Sequence, residues 1–118
     1  MKFLIVDDSA PMRKMVREYL SRCSPGATFV ECEAGEGALA AYGCSRPDWT
    51  FMDIKMRSVD GIAATKAIRN SYPDARIVML TQYDDADLRL EAFGAGAAGY
   101  CLKDNFVEIA SFISPAQP

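Results

Sequence analysis

The sequence predicts an α/β domain built on a doubly wound, five-stranded parallel sheet. Two observations lead to this prediction: short apolar runs recur at nearly regular intervals, and segments with helical periodicity separate them. The runs are mostly continuous rather than alternating, as in strands that are covered on both faces. They lie at residues 2–6, 27–32, 48–52, 75–80 and 98–102. This alternation of strands and helices implies right-handed crossovers with helices on both faces of the sheet.

The helices between these strands begin and end at recognisable residues. In the first helix, Ser9 is a plausible N-cap and Pro11 suits the first turn. Its apolar face is formed by Met12, Met15, Val16, Tyr19 and Leu20. Further helices are predicted at residues 37–42, 62–71, 85–93 and 105–113, and breaks containing proline or glycine separate helices from the next strand.

Length and composition indicate one globular domain. The chain has 118 residues, of which 50% are hydrophobic and 25% charged, enough for a packed core. We expect the domain to span residues 1–113, and residues 114–118 to be a flexible tail or the start of a linker.

Charge and hydropathy exclude several classes of function. A net charge of −3 argues against direct nucleic-acid binding by this chain, since such binding needs a broad basic surface. We expect no membrane span, and the apolar stretch at the N-terminus is too short for a signal peptide. The four cysteines are scattered and there is no histidine to complete a zinc site, so we expect a cytoplasmic, reducing environment.

Chemically useful side chains follow four of the five predicted strands. The first strand ends in Asp7 and Asp8, the third in Asp53, the fourth in Thr81 and the fifth in Lys103. The second strand ends without an evident chemical partner. Ligands of doubly wound sheets bind beyond the carboxyl ends of the strands, so we expect these five side chains to lie close together.

Three clustered carboxylates repel one another unless a cation lies between them, and their hard oxygen ligands favour Mg²⁺ or Ca²⁺. Mg²⁺ keeps coordination positions open for phosphate oxygens. A lysine and a hydroxyl opposite the metal suit a phosphoryl group, and an aspartate can serve as the nucleophile. Asp53 is the best candidate because it stands alone after a central strand.

These motifs together resemble the receiver domain of bacterial two-component response regulators. The resemblance is carried by VDD at residues 6–8, FMDIKM…DG at residues 51–61, LT at residues 80–81 and GYCLKD at residues 99–104. The resemblance covers nearly the whole chain. Residues 93–104 resemble receivers that precede a helix-turn-helix output domain. The resemblance implies a flavodoxin-like (βα)5 fold with strand order 2-1-3-4-5.

The resemblance also implies a role for each site residue. Asp53 would accept a phosphoryl group from a histidine kinase or a histidine phosphotransfer protein. Asp8, Asp53 and the backbone carbonyl of Lys55 would bind Mg²⁺ directly, and Asp7 would bind it through water. Lys103 would pair with the acids and then with the phosphate, and Thr81 would hydrogen-bond a phosphate oxygen. The position of Tyr100 matches the family's aromatic switch, whose ring turns inward when Thr81 moves.

The sequence departs from the family pattern at two positions near the predicted site. Relatives usually carry proline four residues after the phosphorylated aspartate, where this chain has Arg57. The residue after the switch threonine is small in many relatives, whereas here it is Gln82. Arg57, Gln82 and Lys55 lie where side chains affect the lifetime of the phosphoryl group, and the sequence does not determine that lifetime.

The resemblance predicts a phospho-acceptor regulator rather than an enzyme, with output through the fourth helix, fifth strand and fifth helix. A homodimer would form through that face or through the first and fifth helices. The alternative is a haloacid-dehalogenase-like phosphatase with Asp53 as nucleophile, although Lys55 stands where that family has its general acid. A nucleotide- or flavin-binding module is a third hypothesis, because residues 35–40 fit a G-x-G-x-x-A pattern.

Overall fold

The computed structural model describes residues 1–57 and 59–113. Five parallel strands form one sheet in the order β2-β1-β3-β4-β5, which confirms the predicted fold and strand order. The strands are β1 (Lys2–Val6), β2 (Thr28–Cys32), β3 (Trp49–Met52), β4 (Ile77–Thr81) and β5 (Gly99–Leu102). The helices are α1 (Ala10–Cys23), α2 (Ala38–Ser45), α3 (Gly61–Ser71), α4 (Ala86–Gly94) and α5 (Ala110–Ile113). The predicted tail at residues 114–118 lies outside the described residues.

The sheet separates two hydrophobic clusters. On one face, Leu4, Met52 and Met79 pack with the buried sides of α2, α3 and α4. On the other face, Phe3, Phe51 and further strand residues pack with the buried sides of α1 and α5. The strands β1, β3 and β4 are covered on both faces, as predicted from their continuous apolar sequence. The edge strand β2 has no fully buried residue, whereas the opposite edge strand, β5, is mostly buried.

Side-chain caps determine where three of the helices begin. Ser9 accepts a hydrogen bond from the Met12 amide at 3.3 Å, which confirms it as the N-cap of α1. Asp60 caps α3 by accepting from the Ala63 amide at 2.8 Å. Asp85 caps α4 and accepts from two backbone amides of the first turn. These caps place each helix directly after the loop that leaves the carboxyl end of a strand.

Two helix predictions were wrong in detail. The second helix begins with a 3₁₀ turn at Gly35–Gly37 and continues to Ser45, further than the predicted residue 42. The chain leaves that helix through Arg46, whose φ of 47° is left-handed. The predicted fifth helix is mostly a 3₁₀ segment, Lys103–Ile109, and only Ala110–Ile113 is α-helical. Asn105 has non-helical backbone angles, consistent with the tendency of short polar side chains to compete with helical hydrogen bonds.

Candidate functional site

The strand register brings the predicted acids to one edge of the sheet. Val6 is paired with Met52, so Asp7 and Asp53 follow adjacent strands at the same level. The Asp53 amide donates to the Val6 carbonyl at 2.8 Å, and the Asp7 amide donates to the Cys32 carbonyl at 3.0 Å. Backbone hydrogen bonds of the sheet thus continue one residue beyond the strands and fix both acids in position.

Asp7, Asp8 and Asp53 form a compact acidic cluster. One carboxylate oxygen from each residue lies within 4.8 Å of the others. Asp7 and Asp53 are only 3% and 5% exposed, whereas Asp8 is half-buried and lines a surface cleft. Their oxygen donors and their mutual repulsion fit a divalent cation such as Mg²⁺, since a bound cation would compensate the buried negative charge.

Lys103 supplies a positive charge to the same cluster. Its ammonium nitrogen Nζ lies 2.9 Å from Asp7 Oδ2 and 3.4 Å from Asp53 Oδ1. The lysine follows β5, on the far side of the sheet's central strands from Asp7, so only the tertiary fold brings these groups together. The prediction that Lys103 would lie beside the acids agrees with this geometry.

The electrostatics of the cluster shift two pKa values. Burial and the negative charge of Asp7 raise the pKa of Asp53 to about 6, even though Lys103 and the Ile54 amide favour its ionised form. Burial alone would lower the pKa of Lys103, but its hydrogen bond with Asp7 and the charge of Asp53 outweigh that effect and raise it. Lys103 therefore stays protonated. Ionisation of Asp53 costs free energy unless a further cation lies beside it.

Thr81 and Tyr100 are joined through the loop that follows β4. The Tyr83 amide donates to Thr81 Oγ1 at 3.2 Å, and the Tyr100 hydroxyl donates to the Tyr83 carbonyl at 2.7 Å. Thr81 is fully buried and Tyr100 is only 8% exposed, so the tyrosine ring points inward. The two residues predicted to form a switch are therefore connected by two hydrogen bonds to one intervening residue.

Gly61 allows the loop after β3 to fold against the site. A Cβ atom at this position would collide with the backbone oxygen of Asp53, so any larger residue would have to displace the acid. The Gly61 amide also donates to the Ile54 carbonyl at 2.7 Å. The start of α3 thus packs tightly against the backbone that carries Asp53.

The acidic cluster opens to solvent through a cleft of about 320 Å³. Its lining includes Lys55 and Gln82, two of the three side chains that leave the phosphoryl lifetime open. The lining residues are Asp8, Ser9, Met12, Asp53, Lys55, Gln82, Tyr83 and Lys103. The Lys55 ammonium lies 5.9 Å from the centre of the Tyr83 ring, across the entrance. Arg57 lies outside this cleft and lines a separate depression with Glu33, Ala34 and Glu36.

Strand β2 also contributes to the site, although no chemical partner is evident in its sequence. Arg13 donates to the backbone carbonyl of Asp7 at 2.6 Å through one guanidinium nitrogen. Its Nε atom pairs with Glu31 of β2 at 2.9 Å, and Arg17 contacts the same carboxylate at 3.4 Å. Glu31 therefore supports the loop of Asp7 and Asp8 through Arg13. No signal in the sequence pairs Arg13 of α1 with Glu31 of β2.

Comparison with known proteins identifies the family. The model of the response regulator receiver domain matches residues 3–113, and the chain therefore belongs to that family. It is a receiver domain of two-component response regulators.

The relatives of this receiver include transcriptional regulators. The chain is 36% identical over 104 residues to the uncharacterized transcriptional regulatory protein YhcZ of Bacillus subtilis, covering 88% of this chain and 49% of YhcZ. A two-component response regulator of the LuxR family from Aurantimonas sp. SI85-9A1 superposes with a TM-score of 0.84 at 29% identity, covering 99% of this chain and 89% of that one. These similarities support the predicted helix-turn-helix-output class. The chain spans about half the length of YhcZ.

A solved structure with a metal and a phosphoryl mimic is similarly close. The response regulator TrrA of Thermotoga maritima, in complex with Mg²⁺-BeF, superposes with a TM-score of 0.83 at 30% identity, covering 95% of each chain. The family assignment leaves the phosphatase and nucleotide-binding alternatives without support. Among the helices of residues 1–57 and 59–113, none has both the length and the apolar character needed to cross a membrane.

Proposed function

We propose that Asp53 is the phosphoryl acceptor of this receiver and that the reaction depends on Mg²⁺. The observation that carries the proposal is the position of a buried Asp53 carboxylate between Lys103 and two further acids at the opening of a cleft. The donor would be a phosphohistidine of a histidine kinase or of a phosphotransfer protein. This chain has no histidine of its own to carry the group.

In the proposed reaction an oxygen of ionised Asp53 attacks the phosphorus atom of the donor, and the bond from phosphorus to the imidazole nitrogen breaks. The electron pair of that bond returns to the imidazole, which regains neutrality by taking up a proton. Lys103 remains protonated and lies within reach of the negative charge on the transferred oxygens. The hydroxyl of Thr81 is released from the Tyr83 amide to bind one of those oxygens.

The residues that would hold Mg²⁺ are Asp8, Asp53 and the backbone carbonyl of Lys55 directly, with Asp7 through water. When bound, the ion neutralises the acids and the charge that develops on the phosphoryl oxygens. This assignment is supported by the separation of at most 4.8 Å between one oxygen of each acid. It is also supported by the Mg²⁺ complex of the similar regulator TrrA.

We further propose that phosphorylation changes the surface of α4, β5 and α5, and that this surface mediates output. Exposed apolar side chains are present on α4, where Leu90 and Phe93 are 73% and 45% exposed, and on the 3₁₀ segment between β5 and α5, where Val107 is 49% exposed. A homodimer through this surface, or through α1 and α5, would relay the signal to a transcriptional output. This receiver would catalyse only its own phosphorylation and dephosphorylation. A cytoplasmic location is consistent with four cysteines that form no disulfide.

The proposal is tested by incubating the protein with acetyl phosphate and Mg²⁺ and measuring its intact mass. The wild type should gain one phosphoryl group, and neither the Asp53→Asn variant nor a sample with EDTA should do so. Asp74→Asn is the matched control, because Asp74 is exposed and distant in sequence from the site. If Asp53→Asn were labelled as fast as the wild type, the assignment of the acceptor would be wrong.

A further inference from the structure

The ring of Tyr100 is covered on its outer side by a charged residue from α4. The guanidinium carbon of Arg89 lies 4.4 Å from the centre of the Tyr100 ring. Arg89 is itself 42% exposed and its other polar contact is weak, since it approaches Asp84 Oδ1 only to 3.7 Å. Asp84 is 76% exposed, so water screens this ion pair. Of these two interactions of the Arg89 side chain, the one with the buried Tyr100 ring is therefore the less screened by water.

Tyr100 packs in the core cluster that includes Ala92 and Leu88 of α4, and its hydroxyl is held by a hydrogen bond. Its hydroxyl donates to the Tyr83 carbonyl, and Tyr83 in turn is bonded to Thr81. Beyond the hydroxyl, an aromatic ring at the edge of the sheet must keep its face covered to remain inward. A cation over an aromatic face is attracted to the ring's quadrupole, and arginine also excludes water from it. Arg89 supplies this cover from α4.

We propose that Arg89 is a positioning residue that holds Tyr100 in its inward, hydrogen-bonded rotamer and so sets the response of the 81–83 loop to a phosphoryl group on Asp53. The inference rests on the proposed function, because it takes Asp53 as the acceptor. It adds a second restraint to the Thr81–Tyr100 connection, placed on the exposed face of α4. A partner that binds this face and engages Arg89 would act on the site through Tyr100.

The expected size of the effect follows from the exposure of Arg89. At a partly exposed site, loss of a cation–π contact changes a two-state population by about two- to five-fold. If the inward rotamer favours the phosphoryl-bound state, the affinity for Mg²⁺ and beryllofluoride decreases by the same factor in Arg89→Ala. Arg89→Lys keeps the charge and part of the stacking, so it should restore at least half of the lost affinity on a logarithmic scale.

The experiment measures beryllofluoride affinity at saturating Mg²⁺ by NMR, with the Tyr100 ring followed through labelled tyrosine. Arg89→Ala should weaken binding and shift the Tyr100 resonances toward those of a solvent-exposed ring. Arg76→Ala is the matched control, because it also removes an exposed arginine that lies over an aromatic ring, that of Trp49 at 4.6 Å, in the other hydrophobic cluster from Tyr100. Asp84→Asn should also leave both readouts unchanged, because the ion pair of Asp84 with Arg89 is long and exposed.

A double-mutant cycle separates positioning from a general structural effect. In a Tyr100→Leu background, which lacks the aromatic face, Arg89→Ala should no longer change beryllofluoride affinity. An equal loss of affinity in both backgrounds, or an unchanged affinity in Arg89→Ala itself, would overturn the inference. The two proposals fail differently: a wild type that takes up no phosphoryl group refutes the function of Asp53. Normal phosphoryl uptake by the wild type, together with Tyr100 resonances that do not change in Arg89→Ala, refutes only the role of Arg89.

Discussion

Replacement of Asp53 by asparagine should make the metal-free protein more stable at neutral pH. The reason is that the native state buries an ionised Asp53 beside Asp7, and this raises the pKa of Asp53 from 3.8 to about 6. Asparagine has nearly the same shape and retains an oxygen that can accept from the Ile54 amide, as Asp53 Oδ1 does at 2.9 Å. Lys103 keeps its closer partner, Asp7, at 2.9 Å.

The magnitude follows from the pKa shift. Each pKa unit corresponds to about 1.4 kcal/mol, so a rise from 3.8 to about 6 costs up to about 3 kcal/mol when Asp53 is fully ionised. The native state binds its proton more tightly than the unfolded state does, so wild-type stability falls as the pH rises through the interval from 3.8 to about 6. The gain in Asp53→Asn is therefore absent near pH 4 and complete above about pH 7.

Chemical unfolding in urea with EDTA, at pH 4.5 and at about pH 8, measures this difference. In thermal unfolding, the full gain in stability corresponds to a rise of about 10 °C in the midpoint temperature of a 118-residue domain. Asp74→Asn removes an exposed carboxylate of the same kind and should change little at either pH. Added Mg²⁺ should reduce the difference in stability between Asp53→Asn and the wild type, because it stabilises the wild type. An Asp53→Asn variant no more stable than the wild type at pH 8 in EDTA would refute the argument from buried repulsion.

Two further predictions concern the supports of the site. Lys103→Met should lower the metal-free stability by about 3 kcal/mol, because it leaves the Asp7 and Asp53 carboxylates buried without their cation. The urea midpoint of Lys103→Met should partly recover when Mg²⁺ is added. The control Lys66→Met, on the exposed side of α3, should change the midpoint little. A loss of stability in Lys103→Met that Mg²⁺ does not reduce would contradict the charge argument. Gly61→Ala should cost about 3 kcal/mol or more in thermal unfolding, because its Cβ collides with the Asp53 backbone oxygen. Gly94→Ala has open space around its Cβ and should be neutral or slightly stabilising, and equal effects of both substitutions would count against the steric explanation.

The residues of the candidate site could be found from the sequence because parallel strands end at a common edge. Asp7, Asp53 and Lys103 each follow an apolar run, and this position alone predicts that they lie near one another. The structure agrees, with Lys103 within 3.4 Å of Asp53 and 2.9 Å of Asp7. The roles of these residues in metal binding and phosphoryl transfer stay predictions until the experiments above are done.

Element boundaries were less predictable than the elements themselves. The segment after β5 contains apolar residues at helical spacing, yet Asn105 interrupts it and most of it becomes a 3₁₀ helix. Local sequence favours a helix there only weakly, and packing of Ile109 and Ile113 against the sheet decides its path. The exposure of β2 also differs from the burial of β5, although both are edge strands, and neither strand's apolar sequence specifies this difference.

The sequence by itself determined the parallel α/β architecture and the set of acids, hydroxyl and ammonium at one edge of the sheet. Hydrophobic periodicity and turn residues act over short distances along the chain, so they can be recognised without a structure. Only the tertiary structure decided that Glu31 supports Asp7 through Arg13, and that Arg89 covers the ring of Tyr100. Such contacts join residues far apart in the sequence, and their existence depends on side-chain directions that are set when helices pack on the sheet.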